Sequence, residues 1–459
     1  MILKASQRGH GRALAHHLLN MKENDHVEVH DIRGLAAESL GTALLEIEAV
    51  SKGTKCQQPL FAVAFNPPQD ANISIEDFEA AFADVERKLG LGDQPRAVVF
   101  HEKQGRRHAH VVWSRIDVDH MKAIPMNHFK RKLQDVSRDL FIQHGWDMPK
   151  GLADKSNRDP LNFDLPTWQQ AKRLKEDPRD LKQIIQSALQ SSDGVKAFQN
   201  ALEAQGMMLA RGDKRGFVVI HHTGEPLSLN RYSGLKTREI KARIGTPETL
   251  PTVGQAQLTM QTRMTAKVEQ TLLAIRKKQK QELAPLNTAR NEMKARHKEV
   301  RTTQKQAQEK RWQQEELKRA KRLRKGLMGL WDRLTGKRGR ISRQNKQEAE
   351  EALKRDKNQK QDLINRQMQE RRALQKEIKT LHKKHRQEIN RFRHDIGFLI
   401  KMDKIREKTE GRGGDQNRLK DQWKEAAGTD KKPAEAKEHE RERTIERSRR
   451  GPRMGSGFE

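Results

Sequence analysis

The chain has 459 residues, with 93 Lys and Arg against 62 Asp and Glu and a formal net charge of +31. Only 34% of residues are apolar and 34% are charged, which excludes one continuous core along the whole length and points to several separately packed segments. No apolar run approaches the roughly 20 residues that cross a bilayer. The start, MILKASQRGHGR, lacks the charged-then-apolar pattern of a secretory leader, and the single cysteine, Cys56, leaves no intrachain disulfide, so a cytosolic protein without membrane insertion is expected.

The positive charge is uneven. Residues 1–150 carry 20 basic and 20 acidic side chains, residues 151–250 carry 16 and 12, and residues 251–459 carry 57 and 30. A uniformly basic, histone-like chain is therefore excluded. The front is balanced and globular in composition, and the surplus lies behind it.

In chain order, residues 1–5 are short and apolar. Residues 26–32 (HVEVHDI) alternate strictly, which predicts a strand with His26, Glu28 and His30 on one face. A helix is expected over roughly 35–49, and a buried strand over 60–65 (LFAVAF) that stops at Asn66-Pro67-Pro68. Helical spacing over 74–89 begins at Ser74, a suitable N-cap. Arg96–His101 and His108–Ser114 read as the strands of a hairpin around a six-residue turn containing Gly105, and 127–144 reads as a helix. Helices mixed with hairpin-joined strands predict an α+β domain on an antiparallel sheet over residues 1–150.

A small α/β unit is expected over 165–245, with a helix over 179–205 and a hairpin turning at Gly212–Gly216. The segment 245–254 (GTPETLPTVG) marks a boundary. Beyond it, 255–410 is nearly free of glycine and rich in Gln, Glu, Lys, Arg and Leu, which predicts long basic helices. Leu374, Ile378, Leu381, His385, Ile389, Phe392, Ile396 and Leu399 are spaced 4-3-4-4-3-4-3, a coiled-coil seam that offers self-association. Residues 326–339 turn the chain between two such helices. Residues 411–459 lose all periodicity and read as a disordered basic tail.

Eleven of the 18 histidines fall in residues 1–150. The densest group is HEKQGRRHAHVVW, from His101 to Trp113. On a strand His108 and His110 share a face, about 7 Å apart, and the hairpin can bring His101 alongside. Three imidazoles converging from two strands form half a shell for a divalent ion, with the remaining positions open to water or substrate. An open site polarises a carbonyl or phosphoryl oxygen. A closed structural zinc site lacks a nearby cysteine, and exposed histidines on an ordinary hairpin are the bland alternative.

A His-hydrophobe-His pair on one strand with a further histidine on its partner resembles the three-histidine motif of the relaxase/mobilization nuclease family. These are single-strand DNA endonucleases of the HUH superfamily that include plasmid-mobilization and T-DNA border nickases. The resemblance runs through MILKASQRGHGRALAHHLLN, HVEVHDIRG, SKGTKCQQPLFAVAF, PRAVVFHEKQGRRHAHVVWSRID and HGWDMPKGL. It implies that His101, His108 and His110 hold Mg²⁺ or Mn²⁺, which polarises a scissile phosphate of single-stranded DNA at a transfer origin. It implies a nucleophile near the N-terminus and a covalent 5′ joint to the protein. It also implies relaxosome accessory proteins, a type IV secretion coupling protein, and a bacterial cytoplasmic protein that travels with the DNA into a recipient.

The usual nucleophile of that family is an N-terminal tyrosine, and this chain has one tyrosine in all, Tyr232, far from its start. Histidine is a competent substitute that gives a phosphoramidate. His26, at the head of a strand after the first helix, is the first candidate and His30 the second, with Glu28 or Asp31 to orient either ring. Glu102 and Asp117 are candidates for holding the imidazole tautomers, or else exposed salt-bridge partners, and Tyr232 reads as structural. Lys318–Lys325 (KRAKRLRK) and Lys337–Arg343 (KRGRISR) suit phosphate binding without base readout. Arg441–Arg453 resembles the Arg-rich signals of type IV secretion substrates. The competing function is a non-catalytic, DNA-binding mobilization accessory protein whose nuclease site has decayed. An RNA-binding or structural coiled-coil protein leaves the histidine hairpin without a task.

Overall fold

The computed structural model describes residues 1–213, 216–263, 266–324 and 326–410. The expected tail over 411–459, with Arg441–Arg453, lies outside the described residues. Two compact units emerge: Met1–Asn162 with Thr271–Glu388, and Phe163–Gln270 with the described residues from Ile389 onward.

The first unit is built on an antiparallel sheet of β1 (Ile2–Arg8), β2 (His26–Arg33), β3 (Leu60–Asn66), β4 (Arg96–Lys103) and β5 (Arg106–Ser114), in the order β1-β3-β5-β4-β2. One face packs against α1 (Gly11–Leu18) and α2 (Leu40–Ser51), through Leu14, Leu18, Leu44 and Ile47 on Ala97, Val99 and Val112. The other packs against α3 (Ile75–Leu89) and α4 (Phe129–Gln143), through Phe78, Phe82, Val85 and Leu140 on Phe65, Phe100, Val111 and Trp113. Both faces are covered, which is why β3 and β4 are near-continuous apolar runs. A small ladder of β6 (Ile116–Asp117) and β7 (Lys122–Ala123) follows β5, and a single turn, α5 (Lys150–Ala153), follows α4.

Local chemistry fixes most boundaries. Ser74 and Asp77 form a capping box at the head of α3, the Ser74 hydroxyl accepting from the Asp77 amide at 3.0 Å. The expected helix over 35–49 starts later, at Leu40, because Ser39 caps it there. The expected six-residue turn is in fact two residues long: Gln104 and Gly105 have φ of 54° and 72°, the geometry that matches the strand twist, so β4 and β5 extend to Lys103 and Arg106. At Gly11, an added Cβ would collide with the Leu44 carbonyl, so glycine lets α1 lie close against α2.

The second unit contains α6 (Leu165–Leu174), α7 (Pro178–Gln190) and α8 (Val195–Glu203). The expected single helix over 179–205 is two helices, with Gly194 as the extended N-cap of the second. A three-stranded antiparallel sheet follows, β8 (Met208–Arg211), β9 (Phe217–Ile220) and β10 (Pro226–Ser228), with β9 central. Then come α9 (Leu229–Ser233), α10 (Thr237–Ile244) and α11 (Val253–Arg263). Leu181, Ile185, Phe198, Phe217, Val219, Tyr232 and Ile240 fill the core.

The remainder is helical: α12 (Ala266–Lys321), α13 (Gly326–Leu334) and α14 (Lys337–Glu410). Within the first unit α12 and α14 run antiparallel, as their cross-links count in opposite directions: Glu282 with His385, His297 with Glu370, Arg311 with Asp356, and Arg322 with Glu348. The seam expected to invite self-association is thus at least partly spent inside one chain, where Ile378 and His385 are buried. Among the described residues no helix is long and apolar enough to cross a membrane.

Candidate metal centre

β4 and β5 are adjacent inner strands, and their register puts His101 directly opposite His108. Paired residues share a face, and a residue two further along returns to it, so His110 joins them. The ring centroids lie 5.3 Å (His101–His108), 4.6 Å (His101–His110) and 5.1 Å (His108–His110) apart. One nitrogen from each falls within 4.8 Å of the others, an arrangement that could hold a metal ion. The short Gln104-Gly105 turn makes this alignment, since a longer turn would leave the register open.

The electrostatics suit ligation. Burial, reinforced by the neighbouring imidazoles, pushes His108 down to about 2 and His110 down to about 3, so both rings are neutral near pH 7 and keep a lone pair for a cation. His101 is lowered by burial too. Its Nε2 lies 2.6 Å from the Leu18 carbonyl, which can only accept, so Nε2 carries the proton and Nδ1 the lone pair. Among the described residues no carboxylate joins the triad.

The contact with Leu18 brings the end of α1 to the triad. His17 precedes Leu18, is exposed, and its charge acts on both His101 and His110, lowering each. Nothing in the local sequence of α1 marks His17, because only the long-range contact between Leu18 and His101 brings it near the triad.

His26 and His30 are not brought to the triad. His26 pairs with Glu102, the neighbour of His101, and alternation therefore sends it to the opposite face of the sheet. There its Nε2 faces Glu28 at 3.9 Å, and burial lowers its proton affinity. The register slips between Val29 and Asp31, so His30 sits in a bulge. Its ring rests on Phe100 at 5.1 Å and its Nε2 meets Glu79 of α3 at 3.3 Å.

Glu102 and Asp117 do not orient the imidazoles either. Glu102 is fully buried on the far face. Arg301 donates to both of its oxygens at 3.0 Å, Arg371 donates to it as well, and the Arg107 Nε lies 3.8 Å away. Asp117 pairs with His120 at 2.9 Å on the small ladder. Asp25 also braces the hairpin: its carboxylate accepts from the Gln104 amide at 3.1 Å and from Arg290. Arg290, Arg301 and Arg371 belong to the long helices, so α12 and α14 are part of what holds the histidine strands. Tyr232 is buried in the second unit, where its hydroxyl donates to the Gln170 Oε1 at 3.2 Å and burial pushes it up to about 12.

A second group of potential ligands, Glu176, His221 and His222, lies in the second unit. Glu176 there accepts from His221 at 3.2 Å and from the Arg393 guanidinium.

Comparison with known proteins bears on the first cluster alone. Residues 15–146 match the model of the relaxase family, MobA/VirD2-like, nuclease domain. No curated protein and no solved structure matches the chain. The matched span contains the second half of α1, all of α2 to α4, the sheet from β2 onward and all three clustered histidines, and it ends before the second unit and the long helices. An antiparallel sheet that gathers three neutral imidazoles on one face, inside a stretch that fits this model, makes residues 15–146 a nuclease domain of the relaxase/mobilization family.

Proposed function

We propose that the chain is a metal-dependent single-strand DNA endonuclease and transesterase that nicks a transfer origin and joins itself to the 5′ end, for plasmid mobilization. The observation that supports this most is the convergence of His101, His108 and His110 within the matched nuclease domain. In this reading they hold Mg²⁺ or Mn²⁺, and the donor set fits: three neutral imidazoles with no acidic group closing the site. The bound ion supplies charge neutralisation at the phosphoryl oxygens.

The chain itself supplies the nucleophile, which we assign to His17. Its position beside Leu18, whose carbonyl touches the His101 ring, supports it over His26 and His30 on the opposite face. An imidazole nitrogen attacks phosphorus and an N–P bond forms. The P–O3′ bond breaks, its electron pair stays on the 3′ oxygen, and that oxygen takes a proton. A phosphoramidate on the 5′ side and a free 3′-hydroxyl result. The Leu18 carbonyl fixes the His101 ring, and Asp25 and Glu102 hold the hairpin. Single-stranded DNA, relaxosome accessory proteins and a type IV coupling protein are the partners of this reading, in a bacterial cytoplasm.

The test is nicking by the full chain with Mn²⁺ on supercoiled DNA from around its own gene. Wild type, His17→Ala, His26→Ala, His30→Ala and His108→Ala would be compared. An acid-labile protein–DNA adduct lost in His17→Ala and His108→Ala is the expected result. Adduct formation that survives His17→Ala and disappears in His26→Ala or His30→Ala would return the nucleophile to β2. DNA binding without any nick would mark a non-catalytic mobilization accessory protein.

A further inference from the structure

The sharpest departure from ordinary surface chemistry outside the nuclease site is α13 (GLMGLWDRL). A surface helix normally turns its apolar side chains inward and its charges outward. Here the order is reversed. Leu327 and Leu334 are 85% and 84% exposed and Trp331 is 64% exposed, whereas Asp332 is 3% exposed. Arg324 grips Asp332 through two nitrogens, one at 2.8 Å, so the single carboxylate of the helix is turned inward and neutralised. Residues 327, 331 and 334 are spaced four and three apart, one stripe of a helix, and Leu330 and Met328 widen it, each more than half exposed.

The flanks complete the pattern. From Lys318 to Arg343 the sequence has eleven Lys and Arg and one acid, Asp332. Gly326 and Gly336 both adopt positive φ, at 69° and 72°, and set the short helix off from α12 and α14 at either end. An outward stripe of Leu, Met and Trp bordered by a surplus of cations, beyond Arg319, Arg322 and Arg324, which pair with Glu315, Glu348 and Asp332, is the chemistry of a helix that lies in the plane of an anionic bilayer, with its apolar side in the acyl boundary and its cations on lipid phosphates.

We propose that α13 is an interfacial anchor that binds the protein peripherally to anionic phospholipid surfaces. Nucleic-acid phosphates would engage the cations but leave the leucines in water, since phosphate contacts use no aliphatic surface. A second copy seated tip to tip would bring two strongly cationic flanks together, which like-charge repulsion opposes. The anionic membrane satisfies both halves of the pattern. The proposal is independent of nicking and is read without it.

The test uses the full chain and two kinds of vesicle: phosphatidylglycerol with phosphatidylethanolamine, and phosphatidylcholine alone. Co-sedimentation with the anionic vesicles only is expected, weakened at least about tenfold by the double change Leu327→Glu, Leu334→Glu. Both residues are exposed, so the fold should persist, which circular dichroism would check. Brominated lipid should quench part of the tryptophan emission, and that part should vanish in Trp331→Phe. No binding to anionic vesicles overturns the proposal. So does binding that the leucine changes leave intact, which would be adhesion by cations alone. Leucine-dependent dimers without vesicle binding would assign the stripe to self-association instead, and leucine-dependent retention of a single-stranded oligonucleotide without vesicle binding would assign it to nucleic acid.

Discussion

Among the described residues two groups of imidazoles and carboxylates have metal-ligand spacing, and they differ in what surrounds them. His101, His108 and His110 face one another from adjacent strands with no carboxylate or guanidinium among them. The His221 and His222 rings lie 3.9 Å apart, tilted by 42°, beside Glu176, and Arg393 occupies the carboxylate. His221 is further committed at its other nitrogen, which lies 2.9 Å from the Thr223 hydroxyl. Distance between donors is similar in the two clusters. What differs is whether another cation has already taken the place of the ion. The second cluster is a buried ion pair with histidine around it, and its role is to hold α14 to the small sheet within that unit.

The largest expected effect separates the two on function. His108→Ala should abolish Mn²⁺ binding measured by calorimetry and lower nicking by roughly 10³-fold, or about 4 kcal/mol of transition-state stabilisation. His221→Ala should change neither. Metal binding lost equally in both variants would make the two clusters equivalent. Chelation gives the same contrast without mutation: EDTA should stop nicking and leave the folding of the second unit unchanged, as read by hydrogen exchange on β8 to β10.

Next in size is stability. Glu176→Gln removes the charge that pairs Arg393 in a site where both side chains are almost wholly buried, at 4% and 2% exposure. Stranding a buried guanidinium costs about 3 kcal/mol, so hydrogen exchange in β8 to β10 should accelerate accordingly while Mn²⁺ binding holds. The pH dependence has a definite sign. Burial alone would raise the Glu176 carboxyl, but the His221 hydrogen bond and the His221 and Arg393 charges outweigh it and hold the group down at about 2. A depressed carboxyl stabilises the folded state above its ordinary value of 4.5, and that stability drains away as pH falls from there toward about 2. The gap between wild type and Glu176→Gln should therefore be full at neutral pH and close over that window. A gap that persists at pH 2.5 would show that the charge is not what stabilises the cluster.

The contrast also marks what can be read from sequence. The α+β front, the β3 and β4 runs, the Ser74 cap and the triad followed from local periodicity, because strand alternation fixes which side chains share a face. The same alternation was available for the nucleophile candidates, and the structure places them on the face opposite the triad. His26 and His30 share a face with each other, but whether that face is the one with His101 depends on how β2 aligns with β4, and register between strands 70 residues apart is set by tertiary packing. The arginines around Glu102 were equally out of reach. Arg301 and Arg371 come from helices about 200 and 270 positions away, and nothing local distinguishes them from the many cations on the same helices. The helices read as a solvated basic arm, yet part of their charge is spent inside the first unit, on Glu28, Asp25 and Glu102.

The smallest effect tests the residue whose chemistry is most tempting. Tyr232 is the single tyrosine of the chain, and tyrosine is the nucleophile that the resemblance of its front end would lead one to expect, so Tyr232→Phe is the natural control. Its ring is fully buried in the core of the second unit with Leu181, Ile185 and Phe217, and its hydroxyl spends its proton on Gln170. Burial pushes the phenol up to about 12, the opposite of what an attacking phenolate needs. Phenylalanine keeps the ring and its packing and leaves only the Gln170 acceptor to find another partner. The loss should be about 1 kcal/mol, the net worth of one neutral hydrogen bond, seen as a small shift in the exchange rates of α9, with nicking and adduct formation unchanged. An adduct lost in Tyr232→Phe but retained in His17→Ala would require the second unit to open and deliver a buried ring to DNA, and it would transfer the covalent chemistry from the histidine beside the triad to the tyrosine.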